Sequence, residues 1–404
     1  MPERERLPHE PRHDVVIVGG GPVGLLLACL LAARGLDVVV LERRHASSGR
    51  SRAIGIHPPG LRALDRAGIG DEVRQRAAPI RGGVVTCEGR VLGAMSFARA
   101  GSVLSLPQLE TEELLEARLE ELRPGALHRG VEVRSVHDRG THVEVEAVGV
   151  ADADSGTGAD AGADAEHAAP ERVSVTAWYA VAADGVRSGI RDALGIAWRS
   201  RGGRAHYVMG DTRDDTGEPE TALLHFEPAG VVESFPMPGG LRRWVAWVRK
   251  PPAAPSARQL GMIVQLRAGG AFDVDAAGEP SEFEARQHLA SRMAQGRVAL
   301  AGDAAHEVSP IGGQGMNLGW LDAVRLDHEL ATALTVGAPF EAFDEYDRVQ
   351  RKAAARAVRQ ASFNMRMGAP ATGMRLRTRN AAVRVLGVPP LRALLARAFT
   401  MRWL

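Results

Sequence analysis

Asp14-Val15-Val16-Ile17-Val18-Gly19-Gly20-Gly21-Pro22-Val23-Gly24 is the stretch on which the reading of the chain turns. Four β-branched residues in a row suit a strand buried on both faces of a parallel sheet. The glycines that follow fit G-x-G-x-x-G. Gly19 permits the tight turn, Gly21 lets the backbone approach a pyrophosphate, and Gly24 lets a helix pack close against the strand. An apolar helical pattern runs from Leu25 to Arg34 and stops at Gly35, and a second strand, Val38 to Leu41, ends at Glu42. The helix start offers unpaired N–H groups and a positive dipole end to phosphates. Glu42, 18 residues after Gly24, is placed to accept hydrogen bonds from ribose hydroxyls, with Arg43 beside it as a further cofactor contact. Strand, glycines, helix, strand and terminal carboxylate in this order make a dinucleotide-binding unit. They do not by themselves separate NAD from FAD.

Around this unit the chain is ordinary. Its 404 residues allow two to three domains, and 45% hydrophobic and 25% charged residues are normal for a globular protein. A formal charge of +1 gives no footprint for nucleic acid or an anionic membrane. Lys250 and Lys352 are the sole lysines, so the positive charge is almost wholly arginine. The two cysteines, Cys29 and Cys87, form no CxxC pair, and neither a disulfide framework nor a metal site is expected. The polar N-terminus lacks a signal-peptide pattern, and the longest apolar stretch, Leu25 to Ala33, is far below the roughly 20 residues of a membrane span. A cytoplasmic enzyme is the expectation.

Distant segments narrow the cofactor. Arg297 to Ala301 reads as a short buried strand running into Gly302-Asp303-Ala304-Ala305-His306. Then come Pro310-Ile311-Gly312-Gly313-Gln314-Gly315-Met316-Asn317-Leu318 and a helical pattern to about Thr335. Together with Asp184-Gly185 in WYAVAADGVRSGIR, Arg50-Ser51-Arg52-Ala53, and Gln108 at a helix start, this resembles the group A FAD-dependent aromatic monooxygenases, the family of para-hydroxybenzoate hydroxylase. The resemblance implies an α/β fold: a Rossmann-like FAD-binding domain with an interleaved antiparallel-sheet substrate domain and a helical C-terminus. It implies that Asp303 accepts from the ribityl hydroxyls, that Arg50 and Arg52 lie near the pyrophosphate, and that Gln108 and Asp184 touch the cofactor. Gly313, Gly315, Met316 and Asn317 belong to the loop whose amides face the flavin N1–C2=O edge, and Pro310 borders the ring where oxygen and substrate meet. Arg187 and Arg191 would approach NADPH or NADH. His306 is expected to be a satisfied structural histidine.

The resemblance further implies that NAD(P)H reduces FAD and that dioxygen is activated as a flavin C4a-hydroperoxide, which hydroxylates a small aromatic or polyketide-like substrate. The cofactor carries the hard chemistry, so the lack of a triad, carboxylate pair or metal cluster is expected. FAD-domain segments are expected at residues 1–80, 103–190 and 285–360, substrate-domain segments at 81–102 and 191–284, and a helical segment at 361–404. Substrate-sheet strands are read at Ala222–Phe226, Val231–Phe235 and Arg243–Val248, separated by Pro and Gly turns. Residues 151–169 are low-complexity and acidic and receive no function. Phe226, Phe235, Met237 and Trp247 are candidates to line the substrate pocket, and equally candidates for core packing. Tyr207 is the best placed tyrosine for a phenolic relay. No arginine clamp for a carboxylate is evident, which favours a larger, less charged substrate. Baeyer–Villiger insertion, epoxidation and a non-catalytic flavin-binding redox sensor stay open beside hydroxylation. A halogenase would need a fuller motif than Trp244-Val245-Ala246-Trp247. Oligomeric state is not readable.

Overall fold

A computed structural model describes residues 11–47, 53–97, 101–150, 172–250, 254–270, 272–336, 343–389 and 391–402. Arg50, Arg52 and the stretch 151–169 lie outside these. The opening valine run becomes the strand His13–Val18, with Val15, Val16 and Ile17 wholly buried. It is hydrogen-bonded in parallel on both sides, to Val38–Glu42 and to Arg172–Ala182. Val298–Leu300 extends the parallel sheet beyond Arg172–Ala182, and Leu127–Arg129 extends it beyond Val38–Glu42. The N-terminal part of Arg172–Ala182 also pairs antiparallel with Val143–Gly149, which in turn pairs with Val131–Asp138.

Helix Pro22–Ala33 is buried continuously from Gly24 to Ala32. Such all-round apolarity requires cover on every side, supplied by helices Gln108–Leu122 and Gln314–Val336. Two glycines set the geometry at its start. Gly19 has φ +108°, and a Cβ there would lie 2.3 Å from the Ala183 carbonyl oxygen. A Cβ on Gly24 would lie 2.0 Å from the Gly19 oxygen. The turn, the neighbouring strand and the helix can approach one another only without side chains.

A second sheet of seven strands runs in the order Ser281–Ala285, Ala205–Arg213, Leu241–Val248, Val232–Met237, Thr221–His225, Gly82–Cys87, Arg90–Ser96. The expectation of an antiparallel sheet holds with one exception: Thr221–His225 and Gly82–Cys87 pair in parallel. A hairpin cannot join parallel strands, and here a whole portion of the chain intervenes between the two. Alternation divides the sheet into two faces. Val208, Val232, Trp244, Ala246 and Val248 pack on Leu260 and Val264 of helix Ala257–Ala268. Met209, Glu233, Phe235, Arg243 and Val245 look the other way, into a cleft against the first sheet. Helices Asp344–Gly368, Gly373–Leu386 and Leu391–Phe399 form the C-terminal part.

The Gly302–Ala304 turn is fixed from below by Asp322, a fully buried carboxylate on helix Gln314–Val336. Its Oδ2 accepts from the Gly302 amide at 2.9 Å and meets His306 Nε2 at 2.6 Å, while Oδ1 accepts from Gln350 Nε2 at 2.8 Å. His306 is 0% exposed and held through Nε2 by Asp322, but its Nδ1 is buried without a partner, so the expectation of a satisfied structural histidine is met at one ring nitrogen only. Burial alone would depress its pKa, but the Asp322 carboxylate, helped by Asp303, holds it above the usual imidazole range. Because the folded value is raised, this contribution is complete below about pH 6.5 and is lost as pH climbs through the folded pKa. Asp322→Ala is expected to lower stability by about 3–5 kcal/mol near neutral pH, read from urea midpoints. The wild-type advantage should shrink as pH rises above that window. An unchanged midpoint in the variant would contradict this account of the turn.

Candidate active site

One continuous cavity of about 660 Å³ lies between the two sheets. Its first end is lined by Gly19, Gly21, Pro22, Glu42 and Arg43, and its middle by Asp184, Asp303 and the residues from Gly312 to Met316 apart from Gln314. Its far end is formed by the cleft-facing row of the seven-stranded sheet, with Phe283 and Ile311. The glycine turn thus meets the Gly302–Ala304 turn and the Pro310–Met316 loop along one cleft, although most of the sequence separates the first from the other two.

At the first end, nothing lies within 4 Å of where a Gly21 Cβ would sit, so the helix start opens onto the cavity. Glu42 Oε2 accepts from the Gly20 amide at 2.7 Å, and Oε1 accepts from the Arg44 amide and Nε at 2.9 and 2.8 Å. Burial works against its ionisation, but Arg44 and the Gly20 amide outweigh burial and keep the carboxyl below its usual pKa. Gln108 starts its helix and donates from Nε2 to Glu112 Oε1 at 2.7 Å; both residues line the cavity. Arg44 and Glu112 were missed from sequence. Each stands beside an identified residue in space, and Arg44 also does so in the chain.

In the middle, Asp184 Oδ1 is buried without a hydrogen-bond partner, and burial raises its carboxyl pKa despite Ser188 and Arg191. The exposed side chain of Asp303 borders the cleft. Pro310 and Gly313 close a turn through a 2.9 Å bond from the Gly313 amide to the Pro310 oxygen. Gly312 and Gly313 take φ values of +98° and +65°, so this loop needs glycine at both positions. Gln314 is 1% exposed, and neither its side-chain oxygen nor its nitrogen has a partner.

Asn317 sits beneath the loop and does not line the cavity. Its Oδ1 accepts from the His57 amide at 2.8 Å, and its Nδ2 donates to Gly55 and Gly313 oxygens, each at 2.9 Å. His57, also unforeseen, has Nε2 3.0 Å from the Gly312 oxygen, and full burial pushes its pKa down to about 4. A neutral ring with that contact donates from Nε2 to the carbonyl. Open glycines at a helix start and unpartnered buried atoms at Asp184 and Gln314 are the donor and acceptor chemistry that FAD would satisfy.

Several expected residues are placed elsewhere. Arg187 is exposed at the cavity edge with no ion-pair partner among the described residues. Arg191 is 3% exposed, 4.0 Å over the Trp198 ring, and donates to the Val186 and Ala304 oxygens, so it braces the Asp184 turn and does not face the cleft. Of the four pocket candidates, Phe235 alone lines the cavity. Phe226 lies past the end of its strand beneath Arg379, Trp247 packs against Gly230, and Met237 runs into the turn Pro238–Gly240. Strand parity gave Trp247 and Met237 the correct face. Position along the strand, which parity does not encode, took them out of reach.

Tyr207 is 0% exposed behind Phe283, ring centroids 5.3 Å apart, and does not line the cavity. Burial, with Glu233 adding, drives its phenol far above the ordinary range. Arg243 does line the cavity, but Asp211 already occupies its Nε and Nη2 at 2.7 and 2.8 Å. Glu233, unmarked by any motif, is 5% exposed and lines the far end. A charged residue on the parity of Phe235 in an apolar strand was its one sequence signal.

Residues 12–361 match the FAD binding domain family. The chain is 34% identical over 364 residues to 12-dehydrotetracycline 5-monooxygenase/anhydrotetracycline 6-monooxygenase of Streptomyces rimosus, covering 86% of this chain and 68% of that protein. It is 30% identical over 346 residues to rifampicin monooxygenase of Streptomyces venezuelae, covering 82% and 67%. Among solved structures, p-nitrophenol 4-monooxygenase from Pseudomonas putida superposes with a TM-score of 0.82 at 26% identity, covering 96% of this chain and 98% of that one. Anhydrotetracycline hydroxylase from Streptomyces rimosus gives 0.75 at 30% identity, covering 96% and 76%. With its three motifs gathered on one cleft, the chain belongs to the FAD-dependent aromatic monooxygenases of the para-hydroxybenzoate hydroxylase type.

Proposed function

We propose that the protein hydroxylates an aromatic or polyketide-like small molecule of secondary metabolism, with NADPH or NADH as reductant and dioxygen as oxidant. The observation that carries this is the continuity of the cavity, from the glycine turn past Asp303 and the Gly312–Met316 loop to an apolar end at Met209, Phe235, Val245 and Phe283. Bound FAD would supply hydride acceptance from NAD(P)H and oxygen activation at its C4a carbon. The chain's own residues bind, orient and exclude water.

Helix Pro22–Ala33 would present its first amides and dipole to the pyrophosphate. Glu42 would meet the ribose, with its ionised state held by Arg44. Asp303 would accept from the ribityl chain as a charge-assisted contact. The start of helix Gln314–Val336 would set its dipole against the ring edge where negative charge gathers on reduction. Pro310 and Ile311 would border the reacting face. Arg187, exposed at the cleft edge, would attract the phosphates of the reductant.

The apolar far end favours a broad, weakly charged ring system, because the Arg243 fork is largely committed to Asp211 and offers no ready clamp for a substrate carboxylate. The names of the tetracycline and rifampicin relatives support the same class.

Purified protein should be yellow, and its reduction by NADPH or NADH should accelerate many-fold with some member of a panel of phenols and polyketides in stopped flow. No acceleration by any member would return the redox-sensor reading. Asp303→Ala should weaken FAD binding about tenfold or more, measured by flavin fluorescence titration. An unchanged Kd would remove Asp303 from the cofactor contacts. Arg187→Ala should raise KM for the reductant several-fold with kcat nearly unchanged, as loss of uniform binding requires. A fall in kcat with constant KM would count against that role.

A further inference from the structure

Among the described residues the Glu233 side chain makes no hydrogen bond or ion pair, although the residue is 5% exposed. It stands on the strand Val232–Met237, directly between Leu224 and Val245 on the neighbouring strands, and it lines the substrate end of the cavity. The carboxyl therefore opens only onto the cavity, and a carboxyl so nearly enclosed, with no protein partner, is costly unless something in the cavity meets it. Its surroundings are apolar. Met209, Val245, Phe283 and Ile311 form one cluster with Tyr207 behind them.

Few ionisable groups share this face. The strand Ala205–Arg213 brings Tyr207, with a buried hydroxyl lacking a partner, and Asp211. The strand Leu241–Val248 brings Arg243, bonded to that same Asp211. On Thr221–His225 the residue opposite is Leu224, while His225 stacks on Trp244 at the opposite face. The cavity's other walls bring Glu284, paired with Arg286, Glu307, which meets His288 at 2.7 Å, and, further along, His57, Asp184 and Asp303.

We propose that Glu233 is the acceptor for a hydroxyl on the substrate ring, receiving its hydrogen bond on binding and its proton as the ring is oxygenated. This rests on the monooxygenase reading above. The proton passes from the substrate oxygen to a Glu233 carboxylate oxygen, and the electron pair of the broken O–H bond stays on the substrate. The ring becomes more electron-rich where oxygen must be delivered. Burial raises the Glu233 pKa to about 7, so the accepting carboxylate becomes populated as pH rises through that value.

The test uses the FAD-loaded enzyme with 1-naphthol, its methyl ether 1-methoxynaphthalene, and the cation of 1-naphthylmethylamine as probes, binding being read from perturbation of the flavin spectrum. Wild type should hold 1-naphthol about tenfold or more tighter than the ether, and Glu233→Gln should erase that preference. Naphthol-dependent NADPH consumption and product formation should rise through about pH 7 in wild type, lose this limb in Glu233→Gln, and regain part of it in Glu233→Asp. Glu233→Leu should retain FAD and melt no lower than wild type, because it removes a buried carboxyl without a partner.

Equal affinity for naphthol and ether, tighter binding of the ammonium probe than of naphthol, an intact pH limb in Glu233→Gln, or marked destabilisation of Glu233→Leu would each overturn the proposal while the monooxygenase reading stands. If no probe binds and no aromatic compound stimulates NADPH consumption, both fall together.

Discussion

The site depends on a carboxylate that never touches it. Asp322 spends Oδ2 on the Gly302 amide and His306, and Oδ1 on Gln350. One buried anion thereby joins the end of strand Val298–Leu300, the turn that carries Asp303, the helix after the glycine loop and the helix Asp344–Gly368. Such a group is tolerated in the interior only because every lone pair in reach has a donor or a cation. Tyr346 adds to the same region by donating to the Leu300 oxygen at 2.7 Å. The turn is therefore held from inside, leaving the Asp303 side chain at the cleft.

A second buried tether works beside it. Asn317 fastens Gly55, His57 and Gly313 to one side chain, and Gly60 is small because a Cβ there would fall 2.1 Å from Asn317 Oδ1. The loop that would face the flavin ring is consequently positioned by groups that do not themselves line the cavity. Asn317 was expected at the cofactor, and it acts one layer beneath. Arg191 shows the same displacement, since its guanidinium is consumed by backbone oxygens and the Trp198 ring.

The fold was legible where steric necessity is local. Gly19 and Gly24 are required by contacts of 2.3 and 2.0 Å with backbone oxygens, and such requirements leave a fixed spacing in the chain. Helix Pro22–Ala33 and the valine strands announce burial by uninterrupted apolarity. The cofactor end of the cleft was legible for the same reason, because short motifs build it. The substrate end was not. Its shape depends on how far along each strand a side chain falls, and on which strand lies opposite, and neither leaves a periodic trace. Phe235 and Met237 share parity and differ only in reach. Tyr207 was chosen for its chemistry, yet Phe283 stands between it and the cleft. Glu233 was passed over because one acid in a strand usually points to water, and here it points into the cleft.

The central strand His13–Val18 is flanked by Arg172–Ala182, a partner translated more than 150 residues later. The strand Gly82–Cys87 likewise waits for Thr221–His225. During synthesis, then, the apolar strand His13–Val18 stands with one edge unpaired until the chain has been made as far as Ala182. Contacts of such long sequence separation close slowly, and open edges invite pairing with other chains. The architecture that unites distant motifs into one cleft makes the nascent protein dependent on protection from its neighbours.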